Sequence, residues 1–161
     1  MTPGFCWNMD IAHMKRAKSG YKYILVMTET MTNYTALLPL RSIHVTSMIT
    51  AVQLFLSIMP RPSVIITDYG PEYSIQFTDY LSSLQIQHRG GIPKRSQQQG
   101  TVEKSFSVVR AVLNRIQATE MKEWPELLPR VMNSINGMHP AGSQFSRTHL
   151  LYMGRRSKAE S

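Results

Sequence analysis

Large apolar residues alternate with smaller or polar ones over Phe5-Cys6-Trp7-Asn8-Met9-Asp10-Ile11, the period-two rhythm of a strand. Tyr23-Ile24-Leu25-Val26-Met27-Thr28 and Tyr34-Thr35-Ala36-Leu37-Leu38 predict two more strands, and the short links between them imply an antiparallel meander. From about His44 to Met59 the rhythm changes. Val45, Met48, Ile49, Val52, Phe55, Leu56 and Met59 recur at helical spacing until Pro60-Arg61-Pro62 stops the helix. The β-branched run Val64-Ile65-Ile66-Thr67 then reads as a buried strand, ended by Asp68 and broken by Tyr69-Gly70-Pro71. This strand–helix–strand order suggests a right-handed parallel crossover that makes the first and fourth strands neighbours.

Phe77, Leu81 and Leu84 mark a short second helix, and Gln85-Ile86-Gln87-His88 alternates like an edge strand. Arg89 to Gly100 has the composition of a loop. A long helix opens at Thr101-Val102-Glu103-Lys104, with Val102, Phe106, Val109, Leu113 and Ile116 down one stripe. Trp124-Pro125 opens another helix, which Gly137 ends, and a last short helix from Thr148 to Met153 is closed by Gly154. With no repeat, low-complexity tract or interdomain linker, residues 1–161 predict one α/β domain. Its core is a five-stranded mixed sheet, three antiparallel plus two parallel strands, flanked by helices.

Composition changes this picture in two respects. The fractions, 42% hydrophobic and 17% charged, belong to a globular chain, with no apolar run approaching the ~20 residues of a membrane span and no signal segment at the start. The single cysteine, Cys6, excludes an internal disulfide and a Cys-rich zinc site, and none of the five histidines is spaced as a metal ligand. A net charge of +8 favours an anionic partner, of which nucleic acid is the commonest.

Three carboxylates stand out. Asp10 lies inside a strand, where aspartate is depleted. Asp68 sits at the carboxyl end of a strand, where open α/β sheets bind ligands. Glu103 falls in the first turn of the long helix. Each has a plainer explanation: the helix dipole favours an acid at Glu103, and Asp68 suits a turn before Gly70. Asp10 in mid-strand is harder to excuse. Glu29, Glu72 and Asp79 read as solvated surface acids. If Asp10, Asp68 and Glu103 converge, their repulsion and hard oxygen donors call for a divalent cation, Mg²⁺ or Mn²⁺. Two such ions ~3.5–4 Å apart clamp the attacking and leaving oxygens of a phosphodiester. Gln99, Glu103, Ser107 and Arg110 form one polar stripe on the same helix, suited to holding metal and gripping phosphate, with Lys104, Lys94 and Arg95 close by in sequence. Lys15, Arg16, Lys18 and Lys22 are either a solvated hairpin or phosphate contacts.

Trp7-Asn8-Met9-Asp10-Ile11, Ile66-Thr67-Asp68-Tyr69-Gly70-Pro71-Glu72-Tyr73 and Gln99-Gly100-Thr101-Val102-Glu103-Lys104 together resemble the catalytic core of retroviral and LTR-retrotransposon (Gypsy-type) integrases. The separation 103 − 68 = 35 is, within a residue or so, that family's distance between its second and third acids. The resemblance covers nearly the whole chain, Trp124 through Arg155 being similar to the helical tail that closes the core. It implies a ribonuclease H-like fold and a metal-binding catalytic triad of Asp10, Asp68 and Glu103 holding two Mg²⁺ (or Mn²⁺) ions. It also implies DNA contacts at Gln99 and Arg110, with Gly90 to Gly100 as a mobile active-site loop.

The implied reaction processes the element's DNA 3′ ends and then joins them to target DNA by attack of the freed 3′-hydroxyl. DNA is the implied partner, the chain a homodimer or higher multimer without a membrane, acting in the nucleus or an intracellular retroelement particle. Two departures stand out: Glu29 where the family often has aspartate, and Ser146-Arg147 where its tail reads Ser-Pro. Full-length integrases carry an N-terminal zinc module and a basic C-terminal domain. Neither is recognisable here, so the chain looks like an excised core or a stand-alone descendant. Two alternatives are a domesticated, catalytically silent DNA- or protein-binding module of the same fold, which intact acids argue against, and a ribonuclease H, which generally brings a fourth acid.

Overall fold

The computed structural model describes residues 2–68, 74–90 and 96–159, with side chains outside 96–105 and 154–159. The strands are β1 (Cys6–His13), β2 (Tyr23–Glu29), β3 (Thr35–Leu40), β4 (Val64–Ile66) and β5 (Gln87–Arg89). The helices are α1 (Val45–Ile58), α2 (Ile75–Ser83), α3 (Ser96–Gln117), α4 (Trp124–Asn136) and α5 (Arg147–Ala159). The strands lie in the order β3-β2-β1-β4-β5, antiparallel across β3, β2 and β1 and parallel across β1, β4 and β5. This is the expected mixed sheet, with β1 and β4 adjacent as predicted. Helix α1 leaves β3 at the antiparallel edge and returns the chain to β4 on the far side of β1.

The interior strand β2 is buried on both faces, which is why Ile24-Leu25-Val26-Met27 is continuously apolar. One face carries Trp7, Met9, Leu25, Met27 and Ile65 against Met48, Val52 and Phe55 of α1 and Phe77 and Leu81 of α2. The other carries Ala12, Ile24, Val26 and Leu37 against Val109, Val112 and Leu113 of α3 and Trp124, Leu128 and Val131 of α4. The alternation in β1 therefore sorts its side chains between two helical layers. Pro39 sits within β3, which is tolerated because that strand is a sheet edge. The second helix starts where Ser74 Oγ accepts the Phe77 N–H at 3.4 Å.

Four expectations need correction. Helix α3 begins at Ser96, not Thr101, so the predicted loop is shorter and Gln97 to Gly100 are helical. Glutamine is a good helix former, and one glycine costs only about 1 kcal/mol. Helix α5 likewise runs through Gly154 to Ala159. The edge strand β5 starts at Gln87, because Gln85 takes a left-handed turn conformation with φ 61° and precedes the buried Ile86. Glu29 is not a solvated acid. It is fully buried, and its Oε2 accepts the Met31 N–H at 3.1 Å, the Thr32 N–H at 2.7 Å and the Thr32 hydroxyl at 2.6 Å, which folds the β2–β3 turn. Asp79, by contrast, is exposed as expected, and Glu72 lies outside the described residues.

The free edge of β3 is met by two side chains of α4, Asn136 and Met132, the latter's Sδ accepting the Leu37 N–H at 3.3 Å. Asn136 Oδ1 accepts the Thr35 N–H at 2.8 Å, and Asn136 Nδ2 donates to the Thr35 carbonyl at 2.8 Å. Replacing Asn136 by alanine strands both backbone groups in a buried place and should cost roughly 2–4 kcal/mol. The shift of a urea unfolding midpoint measures this, and a loss below about 1 kcal/mol would show that the clamp is not structural.

Candidate active site

Strand pairing decides where the first two acids go. In the parallel ladder Cys6 aligns with Val64, Trp7 with Ile65 and Asn8 with Ile66, a constant offset of 58 (64 − 6). The same offset carries Asp10 to Asp68, two residues beyond the last aligned pair. The backbone continues past β4 in sheet-like contact, since the Thr67 N–H donates to the Arg89 carbonyl at 2.9 Å. Carried on past β4, this register sets Asp68, two residues beyond that strand, level with Asp10 in the middle of β1.

The face of Asp10 follows from the pleat. Val26, opposite Asp10 in the antiparallel ladder, and Ala12, two residues along, both belong to the layer packed by α3 and α4. Asp10 thus lies on the face that α3 covers. It is half-buried, and its Oδ1 accepts the Ile11 N–H at 2.9 Å. The backbone of α3 carries Glu103 toward the N-terminal half of the helix, ahead of the residues that pack on this face, Phe106, Val109, Val112 and Leu113. Because α3 starts at Ser96, its first turn contains no acid, and Glu103 is no longer explained by the helix dipole.

The side chains of Glu103, Gln99 and Lys104 lie outside the described residues, as do Lys94 and Arg95 entirely. Arg110 is exposed on α3 with its guanidinium carbon 4.8 Å from the centre of the Phe106 ring, a cation–π contact one turn apart. The structure thus sets Asp10 on the face that α3 covers, and Arg110 lies on that same helix. Among the described residues no three acid, histidine or cysteine side chains form a group able to hold a metal. Carboxylates such as those of Asp10 and Asp68 are the hard oxygen donors that Mg²⁺ and Mn²⁺ prefer.

One group near these acids escaped the sequence reading. His88 Nε2 is 2.5 Å from the Thr67 hydroxyl, next to Asp68 in the chain, and its Nδ1 is 2.8 Å from the Thr78 hydroxyl on α2. The Phe77 ring meets the imidazole edge-on at 5.5 Å. Gly90 leaves the room this needs: a Cβ there would approach Thr67 Oγ1 to 3.0 Å and His88 Nε2 to 3.2 Å. The imidazole therefore ties the end of β4 to α2. Its partners are 21 and 10 residues away, and no local pattern signals them.

Burial pulls the His88 pKa below its ordinary 6.5. The unfolded chain then binds a proton more readily than the folded one, so stability is complete above about 6.5 and falls as the pH drops toward the folded value. His88→Gln should remove that part of the acid slope. Urea midpoints at pH 7.5 and 5.5 test this, and identical slopes in wild type and variant would refute it. Burial likewise raises the pKa of the buried thiol Cys6, which is therefore poor at supplying a thiolate.

Comparison with known proteins adds the family context. The family model described as integrase core domain matches residues 2–96. The Pol polyprotein of Radiation murine leukemia virus (strain Kaplan) is 31% identical over 132 residues, covering 79% of this chain and 22% of that protein. The chain spans under a quarter of the length of the curated relatives it matches. The crystal structure of the BIV integrase catalytic core domain superposes with a TM-score of 0.82 at 17% identity, covering 97% of this chain and 99% of that one. The HTLV-2 integrase catalytic core domain in complex with magnesium, in a trimeric form, gives 0.79 at 20% identity, covering 93% and 97%. These likenesses identify the fold as ribonuclease H-like.

Proposed function

The chain belongs to the integrase core domain family, and from that premise we propose that it is a metal-dependent polynucleotidyl transferase that processes element DNA 3′ ends and joins them to target DNA. The observation that supports this reading is the parallel register of β1 and β4, whose offset of 58 leads from Asp10 to Asp68, with Asp10 on the face that α3 covers. Glu103, on the helix covering that face, completes the triad. The three carboxylates would hold two Mg²⁺ or Mn²⁺ ions, which would neutralise the phosphodiester and lower the pKa of the nucleophile.

The chain's own contribution is placement. The register of the parallel ladder, extended by two residues, would set the two aspartates level, and the His88 bridge holds Thr67, next to Asp68 in the chain. The apolar stripe of α3 fixes that helix against the sheet. Arg110, Gln99, Lys104, Lys94 and Arg95 grip the DNA backbone around the reacting phosphate, at the cost of strong salt dependence. No side chain becomes covalently attached to the substrate: the freed 3′-hydroxyl displaces a target 3′-oxygen in line, so one phosphodiester forms as another breaks. The protein acts as a homodimer or higher multimer, in the nucleus or particle of a retroelement.

The test uses Mn²⁺ with a branched DNA that mimics the strand-transfer product and, separately, an RNA–DNA hybrid. Joining and release on the branched DNA supports the reading. Cleavage of the hybrid alone would make the protein a ribonuclease H, and inertness on both with intact DNA binding would make it a silent binding module.

A further inference from the structure

The β1–β2 connection, residues 14–22, displays Lys15, Arg16, Lys18 and Lys22 as exposed cations, and Arg41 and Lys122 add two more beside it. The chain carries no acid between Asp10 and Glu29, and Glu29 is buried in its own turn. The nearest carboxylate from a neighbouring element, Glu123, accepts the Lys18 backbone N–H with both oxygens at 3.0 Å and so is engaged by the backbone.

The hairpin is also built rigidly, which a merely solvated loop does not require. Met14 N–H donates to the Lys22 carbonyl at 2.7 Å and Ala17 N–H to the Tyr21 carbonyl at 2.9 Å. Gly20, at φ 93°, makes the tight turn that a side chain would resist. Ala17 is buried, and Trp124 Nε1 donates to the Lys15 carbonyl at 2.8 Å, fastening the ridge to α4. Arg41 locks the tip from the other side, its Nε donating to the Ser19 carbonyl at 3.0 Å and its guanidinium lying 4.1 Å from the Tyr21 ring centre. The backbone that bears Lys15, Arg16, Lys18 and Lys22 is thus held in place just past the end of β1, with Arg41 fixed on its tip.

We propose that this hairpin is a second, sequence-independent contact for the backbone of duplex DNA, outside the reacting phosphate; the proposal rests on DNA being the substrate. Along extended β1, Lys15 lies at most about 17 Å beyond Asp10. With two phosphates every ~3.4 Å of duplex axis, the ridge meets the backbone roughly five base pairs from the acids. A membrane surface fits less well, because none of the exposed large hydrophobic side chains among the described residues lies within 14–22.

The experiment compares wild type, the triple variant Lys15→Gln/Arg16→Gln/Lys18→Gln, and a charge-matched control, Arg61→Gln/Arg115→Gln/Arg130→Gln. Binding to a 20-base-pair duplex is measured without divalent metal from 50 to 200 mM salt. Losing three phosphate contacts should flatten the plot of log K against log salt by about 2.7, so the triple variant's affinity should fall about 40-fold less across that range. The control should keep the wild-type slope, and all three proteins should share one melting temperature. An unchanged slope in the triple variant, with wild type still binding and joining DNA, would overturn the hairpin contact alone. Failure of wild type to bind duplex at all would overturn both this proposal and the DNA reading beneath it. Binding of wild type to phosphatidylserine vesicles as tight as to duplex, lost equally in the triple variant, would reassign the ridge to a membrane and overturn it too.

Discussion

Asp68→Asn should slow joining on branched DNA by more than about a thousandfold, which is more than about 4 kcal/mol of transition-state stabilisation. Asparagine keeps the size of the side chain and one acceptor oxygen but not the charge. The substitution therefore separates an electrostatic role from a packing one. Asp10→Asn and Glu103→Gln should each lose as much, and the triple substitution little more, because groups that act as one unit are not additive. None of the three should unfold the protein, since each removes a charge from a cluster of like charges. Mn²⁺ should raise the melting temperature of wild type and not that of the variants, because only a competent site stabilises the native state by mass action. Activity within tenfold of wild type in Asp68→Asn would remove it from the reaction, whatever its position.

The largest stability effect is expected at Trp7. It is 1% exposed in β1, aligned with Ile65 of β4 and Glu29 of β2. Its ring meets Phe55 edge-on at 4.9 Å and Tyr34 at 6.1 Å. Trp7→Ala removes both contacts and leaves a cavity between sheet and α1, costing roughly 3–5 kcal/mol. Against a total of about 5–15 kcal/mol, that is enough to leave the domain partly unfolded. Trp7→Phe should cost less than half as much. Its Nε1 is buried with no hydrogen-bond partner among the described residues, so no protein hydrogen bond is lost with it. The comparison is made by urea unfolding, with an unchanged m-value required for the shift to report stability. A Trp7→Phe variant as damaged as Trp7→Ala would mean that the indole nitrogen, not the ring volume, matters.

Legibility was uneven for physical reasons. Period-two alternation in β1 placed Asp10 on a strand and the β-branched run of β4 placed Asp68 just past the end of one, because local pattern marks where a strand runs and stops. The start of α3 was misread because Gln97, Gln98 and Gln99 favour a helix while Gly100 suggests a break, and local preference leaves the outcome to packing. Glu29 was misread as a solvent-facing acid because charge predicts exposure unless a turn supplies donors, and the donors come from Met31 and Thr32 in a bend that composition does not reveal. The His88 bridge was invisible, as its partners come from two other elements.

Taken alone, the order of residues determined most of the strands and helices that form, which three acids match the motif of a family core, and the surplus of positive charge. These depend on spacing along one segment or on a sum over all of them. Tertiary structure decided that β1 and β4 run side by side in one register, so that residues 58 positions apart are aligned. It also buried Glu29, seated His88 between two hydroxyls and fastened a basic hairpin to α4. Each of these needs partners far away in the chain, and only the closing of the sheet and its two helical layers brings them within reach.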